Sequence, residues 1–184
     1  KKYGGDWAIG AFGIVNRLVF IVVMIVMGLN QGMQPIAGYN FGAKLYGRVN
    51  KVLRLTIIYA TAVTTFGFLV GMLVPDLVVG IFTSDAELTE LSVTGLRITV
   101  MFFPIIGFQM VTSNFFQSIG MAGKAIFLSL TRQMLILLPC LLVLPQFFGV
   151  AGVWYSMPVS DLLASLIALV MLVCQFRKFR TSPL

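Results

Sequence analysis

The chain has 184 residues, of which 59% are hydrophobic and 10% charged, with a net charge of +7 and no histidine. Soluble domains carry about 25% charged residues, so composition excludes a water-soluble protein and predicts an integral membrane protein. The positive charge does not imply a nucleic-acid partner, because the basic residues occupy short gaps between apolar runs and do not gather on a water-facing domain.

The chain opens at Lys1, with no initiating Met and no visible signal peptide, which predicts a piece of a longer protein. A bilayer crossing needs about 20 mostly apolar residues, and five runs qualify. The first covers about residues 7–36 and is interrupted by Asn16 and Arg17. Arg17 keeps its proton at any useful pH, so it must snorkel, pair, or face a wet cavity.

The end of this run leads into a stretch of changing character, from Gly28 to Arg54. Its first half carries amides and glycines, among them Asn30, Gln31, Gln34 and Asn40. Its second half carries Lys44, Arg48, Lys51 and Arg54, spaced to lie on one face of a helix. The pairs Gly28/Gly32 and Gly38/Gly42 have GxxxG spacing, which predicts close approach of another helix.

The second run, about residues 55–74, has no charge. The gap that follows holds Asp76, Asp85, Glu87 and Glu90 and is too short to form a soluble core. Residues 85–92 read as an interfacial helical turn capped by Ser84 or Asp85. The third run, about residues 98–121, is also uncharged, but Gln109, Ser113 and Gln117 form a stripe at i, i+4, i+8, with Asn114 nearby. Such a stripe either bonds to neighbouring helices or, with the Met and Phe residues around it, lines a cavity for bulky apolar cations. The segment from Gly120 to Lys124 has the wrong spacing for a phosphate loop, and Ala125 stands where Ser or Thr is needed.

The fourth run, about residues 125–148, has Arg132 near its start, expected to snorkel to the inner face. The fifth, about residues 153–176, contains Asp161. An acid inside a crossing is costly and is a functional candidate by default. Three readings stand for it: ion or proton binding, pairing with Arg17, or solvation near the outer interface. Cys140 and Cys174 lie in apolar runs as small hydrophobes, with no disulfide framework implied. Prolines 35, 104, 139, 145 and 158 punctuate the crossings as kinks or as bending points for alternating access.

Basic residues set orientation. They follow the first, third and fifth runs (Lys44 to Arg54, Lys124, Arg177 to Arg180), so these ends are expected in the cytoplasm. The amino end then faces out and the carboxyl end in. The expected architecture is all-α: a single polytopic transmembrane bundle of five spans over residues 1–184, in the cytoplasmic membrane.

The run from Gly32 to Lys44 (Gly-Met-Gln-Pro-Ile-Ala-Gly-Tyr-Asn-Phe-Gly-Ala-Lys), followed by Arg48-Val49, resembles the carboxyl half of multidrug and toxin extrusion (MATE) transporters. Tyr3 to Asp6, Phe116 to Gly120, Leu130 to Gln133, Gly149 to Trp154 and Pro158 to Asp161 extend the resemblance over nearly the whole chain, nearest the bacterial MepA-like branch. The resemblance implies twelve spans in two six-span lobes, of which these five are the eighth to twelfth. It implies exchange of Na+ or H+ for organic cations and other amphipathic drugs, with an amino-terminal lobe as partner beside the lipid bilayer. It leaves Asp161, Gln109, Asn114, Gln117, Arg17, Asn16 and Gln34 as candidate substrate or ion contacts, with no catalytic residue, no metal site and no cofactor beyond the coupling ion. Two other readings remain: a lipid-linked oligosaccharide flippase of the same superfamily, whose cavity should be strongly basic, and a non-transporting membrane scaffold.

Overall fold

The computed structural model describes residues 5–181, all in helices and their short connections. Helix α1 (Gly5–Gly42) is 38 residues long, about 57 Å at helical rise. It runs through Pro35 and past the expected end near residue 36. The Asn40 side chain donates to the Ile36 carbonyl at 2.8 Å, inside the helix's last turns. Lys44, at φ 58°, then turns the chain into α2 (Tyr46–Leu73). The basic residues Arg48, Lys51 and Arg54 ride on the first turns of α2.

A short helix, α3 (Pro75–Gly80), precedes α4 (Ala86–Val100). Asp85 caps α4 and accepts from the Leu88 amide at 3.0 Å, the cap expected from the sequence. The helix it starts is not a short turn, however, but has 15 residues, and buries Val93, Leu96 and Val100. The third crossing is therefore broken: α4 and α5 (Phe103–Ser118) meet at a bend of 54°. Pro104 lies in the first turn of α5. Its ring would clash with the carbonyl four residues back and it lacks an amide donor, so a helix cannot run on unbroken from α4, whereas a first turn tolerates it.

The fourth crossing is α6 (Ala122–Leu130), a π-helical segment (Thr131–Leu137) and α7 (Leu138–Phe148), end to end. Gly149, at φ 58°, reverses the chain into α8 (Val150–Thr181). Among the described residues four helical stretches are long and apolar enough to cross a membrane, and the bent pair, taken as one span, brings the number to five.

Helix α5 is the centre of the bundle, packed on α1, α2, α6 and α8. Near the basic end the core holds Leu53, Val111, Phe115, Phe116 and Leu128. Near the other end it holds Val15, Leu96, Phe103 and Trp154. Glycine lets α5 approach α2 closely: a Cβ on Gly107 would fall 2.8 Å from the Ala60 carbonyl oxygen. The GxxxG expectation holds only at Gly38, which meets the Ser118 carbonyl, because Gly28, Gly32 and Gly42 have no atom within 4 Å of an added Cβ.

Candidate functional site

Asp161 lies eleven residues into α8, about 17 Å along it. It is 5% exposed, so the reading that places it in solvent at the outer interface fails. Its partner is not Arg17 but Arg132. Arg132 Nη2 lies 2.7 Å and Nε 2.8 Å from Asp161 Oδ1. Arg132 therefore turns into the bundle instead of snorkelling to the inner face. A charge-assisted hydrogen bond from Nε and a close Nη2 contact on one buried carboxylate oxygen offset much of the cost of removing both charges from water.

Local structure brings the pair together. The reversal at Gly149 makes α7 and α8 antiparallel, which sets residue 137 level with Asp161. Arg132 sits about five residues further along, in the π-helical segment Thr131–Leu137. The wider π turn shifts the phase of the side chains that follow it, and the long guanidinium arm spans the remaining distance. On the far side, Ser165 donates from its hydroxyl to the Asp161 carbonyl at 2.6 Å.

The pair forms one wall of a chamber of about 190 Å³. Asn16 and Phe12 from α1, Thr99 from α4, Gln133 beside Arg132, and Ser160 from α8 contribute to the other walls. At about 30 Å³ per water, it has room for about six waters or a partly hydrated ion, and none for a drug-sized molecule. The chamber thus unites two of the expected residues, Asn16 and Asp161. Arg132, Gln133, Ser160 and Thr99 join them without having been expected there. The one signal for Arg132 in the sequence was a charge inside an apolar run.

The other expected residues lie elsewhere. Arg17 is exposed on α1 beside the exposed Asn16. Gln34 of α1 donates to Asn114 Oδ1 of α5 at 3.2 Å, and the Asn114 amide donates to the Met110 carbonyl. This makes a second polar contact, between α1 and α5. The stripe on α5 does not present one surface: Gln109 is buried and Gln117 exposed. Ser113, between them, reaches across to Ser129 of α6 at 3.3 Å. Phe115 and Phe116 are fully buried in the core, whereas Phe103 lines the chamber and Phe108 borders a separate apolar cavity. Lys124, in the first turn of α6, bonds to Gln175 of α8 and lies 5.2 Å from the centre of the Phe116 ring, which ties the ends of α5, α6 and α8. Among the described residues there is no group of three or more Cys, Asp or Glu able to hold a metal ion.

The MatE family model matches residues 1–142. The multidrug export protein MepA of Staphylococcus aureus (strain MSSA476) is 28% identical over 165 residues, which are 90% of this chain and 36% of that protein. The structure of the MATE multidrug transporter DinF-BH superposes with a TM-score of 0.85 at 37% identity, over 97% of this chain and 40% of that one. An outward-facing multidrug resistance MATE transporter of the MOP superfamily superposes with a TM-score of 0.90 at 18% identity, over 98% and 41%. The chain therefore spans well under half the length of the relatives it matches.

Proposed function

We propose that this chain, which belongs to the MatE family, is the carboxyl-terminal lobe of an antiporter that exports organic cations across the cytoplasmic membrane in exchange for Na+ or H+. The relatives support the export reading, since those named above carry multidrug export or transport in their descriptions. Their greater length supports a second, amino-terminal lobe against which this one rocks. Orientation follows the basic residues: Lys44, Arg48, Lys51 and Arg54 on the cytoplasmic side, with the amino end outside and the carboxyl end inside.

The observation that carries the coupling role is the Arg132–Asp161 pair on the chamber wall. A Na+ or H+ that takes Asp161 displaces the guanidinium, because both compete for the same carboxylate. Arg132, 31% exposed at its side chain, then turns toward chamber water. Occupancy by the ion and the closed ion pair are mutually exclusive, and each state favours a different α7–α8 arrangement. A ligand with such differential affinity shifts the equilibrium between two conformations. The chamber is too small for the organic cation, which belongs at the exposed face of α1 toward the second lobe, where Asn16, Phe20, Met24 and Gln31 lie.

A dye-efflux assay on the complete transporter tests this. Expression lowers accumulation of ethidium and other cationic dyes, and Asp161→Asn, expressed at the normal level, slows the ion-driven part. Unchanged accumulation of several cationic dyes on expression defeats the export reading. Full ion-driven efflux by Asp161→Asn reduces the pair to a structural tie.

A further inference from the structure

A groove of about 500 Å³ runs between the first turns of α2 and the end of α8, far from the ion pair. Its upper part is polar: Tyr46, Asn50 and Arg54. Its lower part is apolar: Leu53, Ile57, Ile58 and Phe176. The volume lies in the range of ligand sites, about 300–1,000 Å³.

The depth of the groove follows from helix length. Helix α2 has 28 residues, about 42 Å at helical rise, against a hydrocarbon core of about 30 Å. The surplus is about 12 Å, or about eight residues. It falls at the basic end, because the other end finishes in the apolar, exposed Leu73. Tyr46 to Arg54 therefore lies among lipid headgroups, and Ile57 and Ile58 lie among acyl chains. The ring of Tyr46 is held edge-on to Phe41, with centroids 5.9 Å apart.

Charge at this end has one sign. Arg48 and Lys51 stand beside the groove on α2, and Arg177 follows Phe176 on α8. Neither residues 7–75 nor residues 162–184 contain an Asp or Glu. An anion therefore has no carboxylate neighbour to oppose it on either wall.

We propose that this groove binds one anionic phospholipid, with its phosphate at Arg54 and Asn50 and an acyl chain along Ile57, Ile58 and Phe176. A guanidinium–phosphate contact supplies charge-assisted hydrogen bonds, and the apolar floor supplies the rest. A zwitterionic lipid fills the same floor but gains less from the surrounding basic residues, each worth about fivefold in binding to an anionic surface. On the orientation proposed above, the lipid is drawn from the inner leaflet.

The test titrates phosphatidylglycerol and, separately, phosphatidylcholine into the protein purified in a mild detergent, with native mass spectrometry reading bound lipid. Phosphatidylglycerol is expected to be retained preferentially. Arg54→Gln lowers its retention about tenfold or more and Arg54→Lys by less. Lys51→Gln, outside the groove, changes it by less than about fivefold. Ile57→Trp fills the apolar floor without touching a charge and also lowers retention. The proposal is overturned if phosphatidylcholine is held equally well, or if Arg54→Gln and Ile57→Trp both bind as the parent does. It is also overturned if inorganic phosphate at millimolar concentration displaces the signal in full, since the site then takes a free anion.

Discussion

Replacing Arg132 by Gln isolates the energetics of the ion pair. In the parent, Asp161 Oδ1 accepts from Arg132 Nε at 2.8 Å and lies 2.7 Å from Nη2, while the residue is 5% exposed. Two unit charges about 4 Å apart attract by about 4 kcal/mol at an effective dielectric of about 20. Removing one partner of a buried pair costs about 3–5 kcal/mol, because the other charge is left uncompensated. Arg132→Gln is expected to fall in that range. Asp161→Asn costs less, about 1–3 kcal/mol, because the guanidinium it releases is already 31% exposed and turns toward the chamber. The double variant leaves two amides that can bond to each other, so it is more stable than Arg132→Gln alone. Denaturant unfolding in micelles, followed by tryptophan fluorescence, gives the four free energies of the cycle. A coupling of about 2 kcal/mol or more is expected. If the single costs sum to the double within about 0.5 kcal/mol, the two groups do not interact and the reasoning fails.

Two further predictions concern packing and topology. Gly107→Ala places a methyl 2.7 Å from Thr64 Oγ1 and 2.8 Å from the Ala60 carbonyl oxygen, so it should cost about 1–3 kcal/mol and lower the thermal midpoint. Gly123→Ala meets nothing within 4 Å in α6 and should stabilise by up to about 1 kcal/mol; equal effects at the two sites refute the α2–α5 contact. In a background without Cys140 and Cys174, Arg48→Cys should resist a membrane-impermeant thiol reagent in intact cells, while Glu87→Cys should react. Labelling of Arg48→Cys from outside reverses the orientation.

The crossings announced by uniform hydropathy were legible as segments, but α1 overruns its expected end. Helix α2 starts at Tyr46, well before the expected residue 55, because its basic first turns carry no hydropathy signal. The fourth and fifth runs begin within a few residues of α6 and α8. The third was only half legible. Helix α4 carries Glu87, Glu90, Ser92, Arg97 and Thr99 among its apolar residues, so a hydropathy window passes over it and finds α5 alone. Its cap at Asp85 was readable because a cap is local chemistry.

The ion pair was not legible, for a tertiary reason. Counting from the reversal at Gly149 places Leu137 beside Asp161, and only the π-helical segment and the reach of a long side chain bring Arg132 there instead. No periodicity in the sequence marks a π turn. The α5 stripe misled because spacing fixes which side chains share a face, not what that face meets. Gln109 turned into the bundle and Gln117 to the surface.

The claim that an ion-accessible chamber with one polar, charged wall lies inside the membrane-spanning bundle is tested most directly at Asn16, which lines it. Asn16→Cys, in the same cysteine-free background, is treated with a small water-soluble thiol reagent in membrane vesicles, its rate normalised to that of Glu87→Cys. It should react well above Tyr59→Cys, a position 58% exposed on the apolar flank of α2, and the normalised rate should change when Na+ is added or the pH is lowered. A cysteine at 16 that is no more reactive than one at 59, or whose normalised rate responds to neither ion, contradicts the account.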